Sequence, residues 1–219
     1  NSTARLVNCS VHGNSSEDFA GAFHVYGKLY LENCQVFDNT ATIGGAMFIQ
    51  GMWNQGSALV NATDTVFYNN RATSESSFGG VVENQCGQLV LNSCSVAGNS
   101  AAYGAILTWS CVLQDGGGNF VYYASSTTLN DTIVAYNYGV DEACADIYEY
   151  YISYTGQTHS PEYISGMKET ILDNIACKNS IVGLQGEFFT VAPEFDAAGN
   201  LINADAVDLT IRSDSAAAR

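Results

Sequence analysis

The chain has 219 residues, enough to bury one sizeable core, and nothing in its length demands a second domain. Seven Lys and Arg stand against 22 Asp and Glu, a formal net charge of -15. That field repels phosphate backbones and anionic lipid, so nucleic acid is a poor candidate partner, and no apolar run is long enough to cross a membrane as a helix.

In chain order the segments repeat. "RLVN" at 5 to 8 alternates as a short strand, "NCSVHGN" at 8 to 14 follows, and Gly21-Ala22-Phe23 supplies a third apolar run. The same trio returns as "LYLEN", "NCQVFDN" at 33 to 39 and Gly45-Ala46-Met47-Phe48. It returns again as "ALVNAT", "DTVFYN" at 64 to 69, with Asp64 in the Cys place, and Gly80-Val81-Val82. A fourth copy reads "LVLNSC", "SCSVAGN" at 93 to 99 and Gly104-Ala105-Ile106-Leu107, and "TIVAYN" at 132 to 137 opens a fifth. Three short strands per period, punctuated by Gly and Asn, predict an all-β chain wound as a parallel β-helix.

Stacking one repeat on the next turns each recurring position into a row of like residues about 4.8 Å apart. Val11, Val36, Val66, Val96 and Val134 are expected to form one buried aliphatic row. Asn14, Asn39, Asn69, Asn99 and Asn137 are expected to form a corner ladder, because Asn tolerates left-handed backbone and its amide can bond to its equivalents above and below. Cys9, Cys34 and Cys94 fall in a row of small buried residues, with a Cys9–Cys34 disulfide as the alternative to packing. Seven cysteines leave at least one thiol over, and Cys86 with Cys111 and Cys144 with Cys177 are the favoured pairs.

Sequons at Asn1, Asn8, Asn14, Asn61 and Asn130 give mild support to a glycosylated, secreted protein. Beyond Gly116-Gly117-Gly118 the repeat loosens, and the stretch from Phe120 to Tyr163 holds nine of the thirteen tyrosines. Tyr122, Tyr123, Tyr148, Tyr150, Tyr151 and Tyr154 are its interface candidates, with Tyr136, Tyr138 and Tyr163 also in the stretch. Such rings suit closure of a core end, a protein interface or sugar stacking. Trp53 and Trp109, each running into a turn, are further candidates for stacking on sugar. Asp141, Glu142 and Asp146 make an acidic cluster whose readings are a solvated loop, a structural Ca2+ site or, last, a catalytic group, and no other cofactor is expected. His12, His24 and His159 share no metal-ligand spacing. The sequence divides into repeats over 1–140, an irregular insertion over 141–178, and a last coil with a C-terminal cap over 179–219. The first repeat enters at full strength without a polar or helical cap, so the segment reads as part of a longer chain or assembly.

The "GGAMF", "FGGVV" and "YGAIL" motifs, each paired with an upstream V-x-x-N, resemble the repeats of polymorphic outer-membrane adhesins and the wider group of right-handed β-helix surface proteins. The resemblance covers roughly residues 5 to 140, and the tail from "NSIV" through "SDSAA" is similar to the closing segment after such helices in secreted bacterial and algal proteins. It implies an extracellular, surface-associated role and is almost silent on chemistry. Composition adds that a pectate-type lyase is improbable, since Arg5, Arg71 and Lys28 are the only cationic residues in the repeat region. The expectation is therefore a non-enzymatic structural or adhesive module that self-associates or stacks on a neighbouring domain, with a polysaccharide-active enzyme or a glycan-binding module as the rival.

Overall fold

The computed structural model describes residues 2–51, 58–75, 77–114, 120–139 and 146–153, with short strands at 175–178, 181–182, 194–195 and 201–202. Every regular element among them is a β-strand. The strands fall mainly into three sheets, and successive repeats contribute one strand to each. The first sheet is built in order from Thr3–Val7, Lys28–Glu32, Leu59–Thr63, Gln88–Asn92, Ser126–Asn130 and Ile175–Lys178, all parallel. The second takes Ser10–His12, Gln35–Phe37, Val66–Tyr68, Ser95–Ala97, Ile133–Val134, Ile181–Val182 and Leu201–Ile202 in parallel, and Glu194–Phe195 closes it antiparallel. The third runs Phe23–Val25, Met47–Gln50, Val82–Gln85 and Ile106–Gln114, which then pairs parallel with Ile147–Ser153 and antiparallel with Phe120–Tyr123.

Alternation decides which side of each strand is buried. Leu29 and Leu31 turn inward from Lys28–Glu32, Val60 and Ala62 from the next strand, and Leu89 and Leu91 from the one after. They meet Val36, Val96 and Val134 of the second sheet and Met47, Ile49, Val82 and Ile106 of the third in one core. Between the first and third sheets the interior is polar and satisfied. Asn84 Nδ2 donates to the Ser126 carbonyl at 2.9 Å, and the Thr108 and Thr127 hydroxyls lie 2.6 Å apart.

Tight packing sets the corner glycines. A Cβ on Gly45 would strike the Gly80 carbonyl oxygen and lie 2.6 to 2.7 Å from Arg71 backbone atoms, so no other residue fits without moving the next repeat. In five repeats the residue two positions before the second-sheet strand is left-handed: Asn8, Asn33, Asp64, Ser93 and Asp131 have φ between 49 and 56°.

The third repeat differs from the sequence register by one residue. Val36 pairs with Phe67, and Phe67 in turn with Val96, so Phe67 occupies the buried row while Val66 is 40% exposed. Val11 stands half-buried at the end of the same row. Likewise Asn70, not Asn69, belongs to the Asn ladder, and Thr65, not Asp64, takes the Cys place. The physical reason is that Thr65-Val66-Phe67-Tyr68-Asn69-Asn70 matches Cys34 through Asn39 side chain by side chain. This register seats a ring in the core, Tyr68 against Phe37 and Asn69 at the left-handed corner with φ 53°. The left-handed residues at this second corner are therefore Gly13, Asp38, Asn69, Gly98 and Tyr136, each one position before a ladder Asn.

The 141–178 stretch is not wholly irregular. Ile147–Ser153 extends the third sheet and Ile175–Lys178 the first. The long third-sheet strand Ile106–Gln114 carries both partners, Ile147–Ser153 alongside 106–112 and Phe120–Tyr123 alongside 111–114.

The opening sequence motif acquires a chemical explanation. Cys34 Sγ donates to the Glu32 carbonyl at 3.3 Å and Cys94 Sγ to the Asn92 carbonyl at 3.2 Å. Thr65 and Thr132 hydroxyls donate to the carbonyls of Thr63 and Asn130, both at 2.9 Å, and Cys9 Sγ to that of Val7 at 3.3 Å. The row thus needs a small side chain with a donor that reaches two residues back across the left-handed corner, and Cys or Thr serves. Cys9, Cys34 and Cys94 are thiols, not a disulfide, and burial pushes the Cys94 thiol up to about 12. Cys94→Thr is accordingly expected to leave stability within about 0.5 kcal/mol of wild type, while Cys94→Ala loses about 1 to 2 kcal/mol. Urea unfolding of the two variants checks the pair.

Candidate functional site

The most ordered constellation of side chains lies at the corner after the second sheet. Asn14 Nδ2 donates to Asn39 Oδ1 at 2.9 Å, Asn39 to Asn70 at 2.9 Å, Asn70 to Asn99 at 3.0 Å and Asn99 to Asn137 at 2.9 Å. Each accepting oxygen also takes the backbone N–H of the same donor residue, at 2.9 to 3.2 Å. Asp146 ends the row, with Oδ1 accepting from Asn137 Nδ2 at 2.7 Å and from its N–H at 3.1 Å. Of the acidic cluster, Asp146 therefore has a structural role as the terminal acceptor, while Asp141 and Glu142 lie outside the described residues. Among the described residues there is no group of three metal-ligating side chains.

Two shorter amide rows run along the first sheet. Asn33 Nδ2 donates to Asn8 Oδ1 at 2.7 Å, Asn92 Nδ2 to Asn61 Oδ1 at 3.1 Å and Asn130 Nδ2 to Asn92 Oδ1 at 2.8 Å. Four of the sequon asparagines are thus ladder members. Asn14 and Asn130 use the nitrogen that a glycan would modify, whereas Asn8 and Asn61 enter as acceptors. Asn1 lies outside the described residues.

The outer face of the second sheet carries a ring row. His12 and Phe37 stack at 4.6 Å with planes 10° apart, and Phe37 and Tyr68 at 4.6 Å with planes 5° apart. The next residue in that register is Ala97. The sequence reading missed this row because its third repeat was out of register. Once Phe67 replaces Val66 in the core, the residue after the core position reads His12, Phe37, Tyr68, Ala97, Ala135.

The outer face of the third sheet is aromatic at one side and buried at the other. His24 stacks on Tyr26 at 4.5 Å, meets Phe48 edge-on at 5.1 Å and lies 3.2 Å from Gln50 Oε1, and Phe19 covers Phe48 at 4.8 Å. One strand further Glu83 and Gln85 share the outer face, and Trp109 follows Gln85 in register. All three are buried, Glu83 being only 4% exposed, and Glu83 Oε2 and Gln85 Oε1 have no hydrogen-bond donor among the described residues. Desolvation pushes the Glu83 carboxyl up to about 8. The positions beside it on the neighbouring strands are Phe48 and Leu107, so no second carboxylate adjoins it there.

This carboxyl makes stability fall with rising pH. In the unfolded chain it titrates near 4.5, so between about pH 4.5 and 8 the folded state holds a proton that the unfolded state has lost. Its contribution is fully present below about pH 4.5 and is lost as pH rises to about 8, a span on the order of 5 kcal/mol. Glu83→Gln removes that slope. Denaturant unfolding of both proteins across this range checks it, and a wild-type profile as flat as the variant's overturns it.

Tyr122, Tyr123, Tyr148, Tyr150 and Tyr151 sit in strands of the third sheet, Tyr148 level with Leu107, Tyr150 with Trp109 and Tyr151 with Ser110. Tyr154, Trp53 and His159 lie outside the described residues. Cys86 is buried and its N–H donates to the Trp109 carbonyl at 2.8 Å, while Cys111 sits opposite Ile152 and Tyr123, and Cys177 opposite Leu129. The side chains of Cys111, Cys144 and Cys177 lie outside the described residues, and so do the pairings expected of them. No family model matches the chain, and no curated protein or solved structure matches it either.

Proposed function

We propose that the three sheets wind as a right-handed parallel β-helix, and that the protein is a non-enzymatic structural or adhesive module of an extracellular fibre, appendage or adhesin. The observation that carries this reading is how the recurring polar residues are used. Asn14, Asn39, Asn70, Asn99 and Asn137, with the Cys and Thr row beside them, bond to their own equivalents or to nearby carbonyls instead of converging on a cleft. The repeated chemistry therefore builds length along the stacking direction, which is what a scaffold requires.

A route to assembly supports it. Thr3–Val7, Ser10–His12 and Phe23–Val25 are edge strands of their sheets, and Leu6, Cys9 and Val11 remain part-exposed there. An edge of this kind can pair with a strand of another copy, and a head-to-tail contact that does not close gives a filament. Size-exclusion light scattering with negative-stain microscopy tests the reading. Elongated particles or fibres with an axial repeat support it. A compact monomer that cleaves polysaccharide overturns it in favour of an enzyme on the same architecture. A glycan-binding role is a second reading, favoured by the outward-facing ring row of exposed His12 and half-buried Phe37 and Tyr68.

A further inference from the structure

The ring row on the second sheet stops in mid-sheet. Its three rings are stacked nearly parallel and evenly spaced at 4.6 Å, so the row runs straight across the strands and the far face of Tyr68 looks toward the next one. There the register places Ala97, which is half-buried, followed by Gly98. A step one residue deep therefore adjoins an aromatic face.

Two further observations belong to this step. Asn69 Oδ1 stands 3.7 Å from the position a Cβ on Gly98 would take, and the Asn69 side chain makes no hydrogen bond among the described residues. On the far side, the Gly98 N–H donates to the Tyr136 carbonyl at 3.1 Å. Tyr136 is 71% exposed and holds φ 59° at a corner where the earlier repeats place Gly13, Asp38, Asn69 and Gly98. A bulky residue in that conformation is strained, and burial of its ring does not offset the strain.

We propose that the step over Ala97 and Gly98 is a subsite for one pyranose ring of a neutral glycan, stacked on Tyr68 and hydrogen-bonded by the Asn69 amide. The proposal rests on the adhesive side of the reading above and gives it a ligand class. The apolar C–H face of a pyranose takes the place that the next aromatic ring would occupy. Its equatorial hydroxyls can replace the water that hydrates the exposed Asn69 Oδ1, whereas a purely apolar ring would desolvate that oxygen and leave it unpaired. A neutral sugar is favoured over an acidic one because the chain carries a formal charge of -15.

The test is a titration of the full chain with cellohexaose, laminarihexaose, mannohexaose and chitohexaose, read as NMR amide shifts of Ala97 and Gly98. At least one is expected to shift both signals saturably. Tyr68→Ala is expected to weaken that binding roughly tenfold. Ala97→Phe, which continues the ring row into the step, is expected to keep the wild-type melting temperature and abolish the shift. Absence of a saturable shift with every one of these sugars overturns the proposal, and so does unchanged binding by Ala97→Phe. Light scattering on the same samples keeps the two readings apart: a failed subsite leaves end-to-end assembly intact, and a failed scaffold leaves the titration intact.

Discussion

Asn70→Ala is expected to destabilise the protein by about 4 kcal/mol, while Asn69→Ala costs about 1 kcal/mol. Asn70 is fully buried, and its Oδ1 accepts from both the N–H and the Nδ2 of Asn39 at 3.2 and 2.9 Å. Its Nδ2 donates to the Val36 carbonyl at 2.9 Å and to Asn99 Oδ1 at 3.0 Å. Truncation leaves those partners in a place water does not reach, and each buried orphan costs about 1 to 3 kcal/mol. The adjacent asparagine is exposed at a left-handed corner, where alanine loses a conformational preference and little else. Equilibrium urea unfolding of the two variants decides between the registers, and equal losses would refute the ladder membership assigned to Asn70.

The same pair explains what the sequence reveals and what it hides. Four of the five ladder positions, Asn14, Asn39, Asn99 and Asn137, are visible as a recurrence because each follows a valine by the same interval. In the third repeat both Val66 with Asn69 and Phe67 with Asn70 satisfy that interval, and only volume and burial separate them. A valine match is favoured by identity, whereas the folded core selects the larger side chain and turns Val66 outward. Rows that depend on this register, such as His12, Phe37 and Tyr68, were hidden with it.

Other features leave no local trace in the sequence. Glu83 sits in "VVENQ", a stretch that reads as a half-exposed strand, and its burial comes from whatever covers the outer face of the third sheet. Asp146 at the end of the asparagine ladder among the described residues is likewise a tertiary fact, since its carboxylate accepts from Asn137 as an amide oxygen would but carries no N–H to pass the row on. The Cys places were legible as small buried residues, but their directional bond to the carbonyl two residues back emerges only beside Thr65 and Thr132. In each case the missing information is a neighbour from another repeat, which periodicity can align but cannot weigh.

Val36→Asp is expected to unfold the protein at neutral pH, and Val66→Asp to cost less than about 1 kcal/mol. Val36 is fully buried between Val11 and Phe67, and its own carbonyl is already engaged by Asn70. An ionised carboxylate there has no cation beside it, and its desolvation rivals the roughly 5 to 15 kcal/mol by which domains of this kind are stable. Val66 faces outward, level with Gln35 and Ser95, where the same group stays hydrated. A pH titration separates burial of charge from simple loss of packing. If the new carboxyl is forced up in pKa by the core, the Val36 variant regains structure as the medium is acidified, because the folded state can hold the neutral acid and not the ion. Circular dichroism melts between pH 7 and pH 4 measure this. A Val36→Asp protein as stable as wild type at pH 7 would overturn the buried row, and one equally unfolded at every pH would place the damage in shape rather than in charge.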